Sequence, residues 1–191
     1  MLPLAGKPAR RSRPVSSNVR RNEGNRRCIP PAHLTRDERM DHRHDILEST
    51  YPGQAASYYL AMSIGGTPDL ADEGAALILN GTKTATSSPI WDYPDGRIPF
   101  VGALSVLLDG QQRAVAVVKT VGVRLVRFRD VTDEMAKAYG EGQRTIEWWQ
   151  RVIGDWYRTK ATRDGQHFDK DTEIIWESIS VVRRLTPAMD G

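Results

Sequence analysis

The run VGALSVLLDGQQRAVAVVKTVGVRLVRF, residues 101–128, most restricts what this chain can fold into. Its apolar positions are mainly valine and leucine, and Asp109-Gly110 stands between two apolar stretches. An Asp-Gly pair flanked in this way is a hairpin signal, because both residues tolerate the positive φ that matches the twist of paired strands. The run predicts two or three short strands, antiparallel in pattern. Gly122 marks a bulge or bend in the second stretch. A further extended segment, TEIIWESISVVRRL, lies near the C-terminus. In it Ile174, Trp176, Ser178, Ser180 and Val182 share one face, and Ile175, Glu177, Ile179 and Val181 share the other.

Three helical patterns surround these strands. In DLADEGAALILNG, Ala71, Ala75, Leu77, Ile78 and Leu79 recur at helical spacing, with Asp69 as the expected cap and Gly81 as the stop. RDVTDEMAKAYG reads as a short helix, capped by Asp130 or Thr132 and ended by Gly140. RTIEWWQRVIGDWYRTKATRDG reads as a longer one, with Thr145 as N-cap. It buries Ile146, Trp149, Val152, Ile153, Trp156 and Tyr157 on one face. Gly154 in its middle costs about 1 kcal/mol relative to alanine, so a tertiary contact is expected there. The order helix, strands, short helix, long helix, strand lacks a βαβ repeat, a GxGxxG and a P-loop, which argues against a dinucleotide or NTP enzyme. The expected fold class is α+β: a small mixed or antiparallel β-barrel with flanking helices.

Charge divides the chain. Of 27 Lys/Arg and 24 Asp/Glu, residues 1–50 hold 11 and 6, leaving 16 and 18 for residues 51–191. The basic character belongs to the N-terminal segment and is no argument for nucleic-acid binding by the folded part. Residues 1–50 read as a disordered basic extension, with almost no apolar periodicity over KPARRSRPVSSNVRRNEGNRRC, and residues 51–191 as the domain. The extension also suits an organellar transit peptide, or a start of translation at Met40. Its Cys28 is the chain's one cysteine, so neither a disulfide framework nor a Cys-based zinc site is expected. His167 is the one histidine beyond residue 50, which argues against a His-rich metal site. No cofactor and no membrane span are expected, and a reducing cytoplasm is the default compartment.

Four groups of residues can carry chemistry. LNGTKTATSS, residues 79–88, surrounds Lys83 with five hydroxyls, including Thr86 and Ser87. A lysine whose pKa is lowered by burial can take a proton from a hydroxyl. The same pattern suits a polar strand edge with a solvated lysine, and strand alternation sends Lys83 and Thr86 to opposite faces unless the chain turns between them. In YGEGQRT, Glu141 lies between two glycines in a loop between helices. Such glycines permit positive φ and close backbone approach. Glu177 stands between two isoleucines on its strand face, which fits a solvent edge or a buried carboxyl with a structural partner. Trp91 and Tyr93, in a proline-containing loop, can stack on a base or cover the end of a barrel.

Taken in order, LADEGAALILNGTKTATSS, VGALSVLLDGQQRAVAVVKTVGV, YGEGQRTIEWWQRV and IIWESISVV resemble the ASCH domain family over about residues 68–185. The resemblance implies a PUA-like barrel and a cleft that recognises RNA or nucleosides. It also implies roles. Lys83 and Thr86 match the family's Gly-x-Lys-x-x-Thr segment as base and nucleophile, and Glu141 matches its acid/base glutamate. Trp91, Tyr93 and Ser87 become expected substrate contacts. The implied activity is hydrolysis of the amide of an N4-acylated cytidine. The alternatives are a non-catalytic RNA-binding module and a metal-independent ribonuclease. Ile153 stands where relatives of this length often carry a histidine, which speaks against a His-dependent ribonuclease mechanism, and Gln143 replaces a common acidic residue.

Overall fold

The computed structural model describes residues 44–185. Most of the expected basic extension lies outside them. Residues 44–50 do not: they form a helix, α1, whose Ile46 and Leu47 are buried against Leu104, Val106 and Val117. Disorder had been expected to run to residue 50. Ile46 and Leu47 join this short helix to the apolar face of the sheet.

Among the described residues five strands, β1 (Tyr58–Met62), β2 (Ala85–Pro89), β3 (Leu104–Leu108), β4 (Ala114–Arg127) and β5 (Glu173–Arg184), form one sheet in the order β1-β3-β4-β5-β2. β3 and β4 make the hairpin expected around Asp109-Gly110. Asp109 accepts from the backbone of Gln111 and Arg113 and pairs with the Arg113 side chain at 2.7 Å. β4 and β5 pair along almost their whole length, with a shift between Thr120 and Gly122 where the bulge was expected. β2 lies antiparallel to β5, and β1 runs parallel to β3. The sheet is therefore mixed, and β1 had not been foreseen.

The barrel expectation needs correcting in one respect. β1 and β2 are the two edges, and they do not pair with each other. After β1 the chain turns away through Gly65 and Gly66 into α2 (Pro68–Leu79), and the gap remains open as a cleft. Thr67, not Asp69, caps α2; Asp69 sits in its first turn, where its charge suits the helix dipole. One turn of α2 packs Ala75 and Ile78 onto Leu107, Val118 and Ile179 of the sheet.

The opposite sheet face is covered by α3 (Asp133–Tyr139) and α4 (Ile146–Asp164), capped by Thr132 and Thr145. Trp149, Ile153 and Tyr157 of α4 pack with Phe128, Trp176 and Ile174. The Phe128 and Trp149 rings stack at 4.8 Å. A Cβ on Gly154 would lie 3.1 Å from the Phe128 ring, so close helix packing supplies the tertiary contact that this glycine required.

Candidate functional site

Lys83 reaches the interior because its backbone is strapped on both sides. After α2, Gly81 adopts a φ of 79°. The Lys83 amide then donates to Leu77 O at 2.9 Å, and the Thr84 amide donates to Ala138 O of α3 at 2.9 Å. These two bonds fix the chain between α2 and α3 just before β2 begins. The side chain that follows is fully buried. Its ammonium donates to Tyr139 O at 3.0 Å, lies 2.8 Å from Glu141 Oε1, and sits 3.4 Å over the centre of the Tyr139 ring. A carbonyl, a carboxylate and a π face thus surround one Nζ, an arrangement that suits a cation. Burial nonetheless outweighs the attraction of Glu141 and lowers the Lys83 pKa from 10.5 to about 8.

Glu141 is placed by its two glycine neighbours. Gly140 has a φ of 80° and abuts the Lys83 backbone so closely that a Cβ would fall 2.5 Å from Lys83 Cα. Gly142 has a φ of 53°, and a Cβ there would fall inside the Trp148 indole. Neither position admits another residue without movement of backbone or ring. The expected close approach is therefore present on both sides of the carboxylate. Its Oε1 meets Lys83 as an ion pair and not as an aligned hydrogen bond. The remainder of the side chain is about one quarter exposed, at the wall of a cleft.

That cleft has a volume of about 350 Å³ and fills the gap between the sheet edges. Ser63 and Ile64, just after β1, form one side. Thr86 on β2 and Glu141 form the other. Thr86 and Glu141 thus share one cavity, while the Lys83 side chain stays behind Glu141. Among the described residues Thr86 makes no side-chain hydrogen bond to either. At 350 Å³ the cavity suits a nucleoside-sized ligand.

The ASCH domain model matches residues 60–183, a span that holds the Lys83 segment, the glycine-flanked glutamate and all of β5 but its last residue. The chain belongs to the ASCH domain family. An ASCH domain from Lactobacillus crispatus JV V101 has 23% sequence identity and a TM-score of 0.67, over 75% of this chain and 96% of that one. A protein from Enterococcus faecalis V583 has 21% identity and a TM-score of 0.68, over 80% of this chain and 95% of that one. At such identities the likeness is one of fold. Among curated proteins, none matches the chain.

Within this ASCH domain the aromatic residues are distributed otherwise than the sequence suggested. Trp91 lines a separate shallow cavity with Arg127 and His167, and its buried indole nitrogen has no hydrogen-bond partner among the described residues. Tyr93 is partly buried, and burial raises its hydroxyl pKa. Ser87 borders the cleft, yet its hydroxyl lies 2.7 Å from that of the fully buried Tyr157. The cleft's own aromatics are Tyr139, Trp148 and Trp156. Trp156 had been expected in the core by periodicity but is 44% exposed. The signal that could have found these two tryptophans is the width of the α4 stripe. Trp149, Ile153 and Tyr157 already fill its buried centre, which leaves its flanks to face an opening. Among the described residues no group of three or more His, Cys, Asp or Glu could hold a metal ion, and no helix is long and apolar enough to cross a membrane.

Proposed function

We propose that the cleft binds a nucleoside or a nucleobase of RNA and hydrolyses the amide of an N4-acylated cytidine. The supporting observation is that Thr86 and Glu141 line one cavity while buried Lys83 holds Glu141 from behind. Because the Lys83 ammonium does not itself reach the cleft, its part is electrostatic. It orients the carboxylate through the ion pair. The proton-transfer role therefore moves from Lys83 to Glu141.

The reaction runs in two halves. Thr86 Oγ1 attacks the acyl carbonyl carbon as its proton passes to the Glu141 carboxylate. The C–N bond then breaks, Glu141 returns that proton to N4, and cytidine leaves. Water attacks the resulting threonyl ester, giving one proton to Glu141, which passes it to Oγ1 as the C–O bond breaks. The products are cytidine and a carboxylic acid. Trp148 and Trp156 line the same cleft and offer its ligand apolar surface.

A non-catalytic RNA-binding reading assigned Lys83 to a phosphate. Its fully buried side chain gives a phosphate no access, which favours the enzyme. Incubation of the full chain with N4-acetylcytidine, followed by measurement of released cytidine, tests the reading. Absence of release overturns it.

A further inference from the structure

Glu177 was expected to be structural: placed at a solvent edge, or buried with an Arg or Lys partner or in a protonated state. It is not at a solvent edge, and burial raises its pKa toward the protonated form. The residue is half-buried, and among the described residues no lysine or arginine pairs with it. Its one side-chain hydrogen bond there comes from Thr120 Oγ1, which donates to Oε1 at 2.5 Å. A carboxyl removed from water with one donor is costly unless something else completes its hydrogen bonding.

Its position indicates what that is. Glu177 on β5 and Thr86 on β2 are direct partners in the antiparallel ladder. Direct partners share a sheet face, with Cβ atoms about 4.5–5.5 Å apart. The residues on either side, Ser87 and Trp176, pair on the opposite face, under the helices. Thr86 and Glu177 therefore look together toward the side on which α2 packs further along the sheet. There Thr120 occupies Oε1, and Oε2 accepts no hydrogen bond among the described residues; Glu177 stands beside Thr86, next to the residues that line the cleft and not among them. Tyr59 of β1 and Tyr93 beyond β2 are near enough for the charge of Glu177 to help raise their pKa values. Burial in turn raises that of Glu177, so its anionic form gains from any further N–H donor.

We propose that Glu177 reads the base: its free carboxylate oxygen accepts a hydrogen bond from the exocyclic N4–H of a cytosine whose acyl carbon lies against Thr86. A carboxylate accepting from cytosine N4 is an established complementary pair. In the N4-acylated base that nitrogen is bonded to the carbon under attack, so a residue directly across the strand from the nucleophile is in place to hold it. The same carboxylate meets the O4 acceptor of uridine with no hydrogen to share, and so discriminates against it. This inference rests on the nucleoside-binding part of the reading above but not on turnover.

The test is calorimetric titration of the full chain with cytidine and with uridine, for the wild type, Glu177→Gln, Glu177→Ala and Thr120→Val. The wild type is expected to prefer cytidine by at least tenfold. Glu177→Gln presents an amide N–H₂ to the base and is expected to shift the ratio at least tenfold toward uridine. Glu177→Ala is expected to abolish the preference. Thr120→Val frees Oε1 and is expected to weaken cytidine several-fold while leaving uridine unchanged, which keeps the test open if the Glu177 variants do not fold. A purely structural Glu177 changes the melting temperature and leaves the cytidine/uridine ratio unmoved; that result overturns the inference, as does a wild type that binds neither nucleoside. A wild type that prefers cytidine through Glu177 but releases none from N4-acetylcytidine upholds this inference and removes the hydrolytic reading.

Discussion

Lys83 Nζ and Glu141 Oε1 stand 2.8 Å apart although both residues lie in connecting segments, outside any strand or helix. Lys83 precedes β2 and Glu141 joins α3 to α4. The pair is held by backbone: the Lys83 and Thr84 amides are tied to Leu77 and Ala138, and Gly140 lies against Lys83. Rigid loops of this kind are a usual way to aim a reacting group from a folded scaffold.

Gly140→Ala is expected to be destabilising by at least about 2 kcal/mol, since it combines a positive φ with a clash against the Lys83 backbone. Denaturant unfolding measures the loss. Activity in the surviving folded fraction is also expected to fall, because relief of the clash must move Glu141 away from Lys83.

Lys83→Met should weaken stability and function together. It keeps most of the side-chain volume but removes one partner of a buried ion pair. Stability is therefore expected to fall by about 3 kcal/mol, because Glu141 Oε1 is left buried without its cation. Hydrolysis is expected to fall by about 100-fold, as Glu141 loses the cation that orients it. Unfolding curves and kcat/KM on the same preparations check both halves.

The pH dependence follows from the lowered Lys83 pKa. The folded chain releases this proton near pH 8, whereas an unperturbed lysine holds it to 10.5. Between these values the unfolded chain binds more protons, so the Lys83 contribution makes stability rise with pH from about 8 to 10.5, with no change below. Activity is expected to move the other way and decline as pH rises through about 8, because the neutral amine no longer holds the carboxylate. A rate that climbs through pH 8 would instead make Lys83 the base.

Ser87→Ala is expected to cost about 1–3 kcal/mol, because the buried Tyr157 hydroxyl loses its partner. Turnover of N4-acetylcytidine is expected to persist. Unfolding and rate measurements on this variant distinguish the structural hydroxyl from its neighbour Thr86.

Much of this was legible in the sequence for local reasons. Asp109, Gly122, Thr132, Thr145 and Gly140 each act within a few residues of themselves, and the turn, bulge and caps form where expected, although the positive φ of the hairpin falls on Gln112 and not on Asp109-Gly110. What depends on distant partners was not legible. β1 is a five-residue strand with no clear alternation of buried and exposed positions, and its pairing is a parallel one to a strand well down the chain. The openness of the barrel is equally non-local, since it rests on two edge strands failing to meet. Trp156 and Glu177 were assigned to core and support from spacing, yet each is defined by what lies across from it: an open cleft for one, Thr86 for the other.

The most direct measurement of the central claim is cytidine release from N4-acetylcytidine by the wild type and by Thr86→Val, a substitution of similar volume that exchanges the hydroxyl for a methyl group. Release by the wild type, with kcat/KM at least about 100-fold lower in Thr86→Val, is the predicted result. No release by the wild type, or equal release by Thr86→Val, contradicts the account.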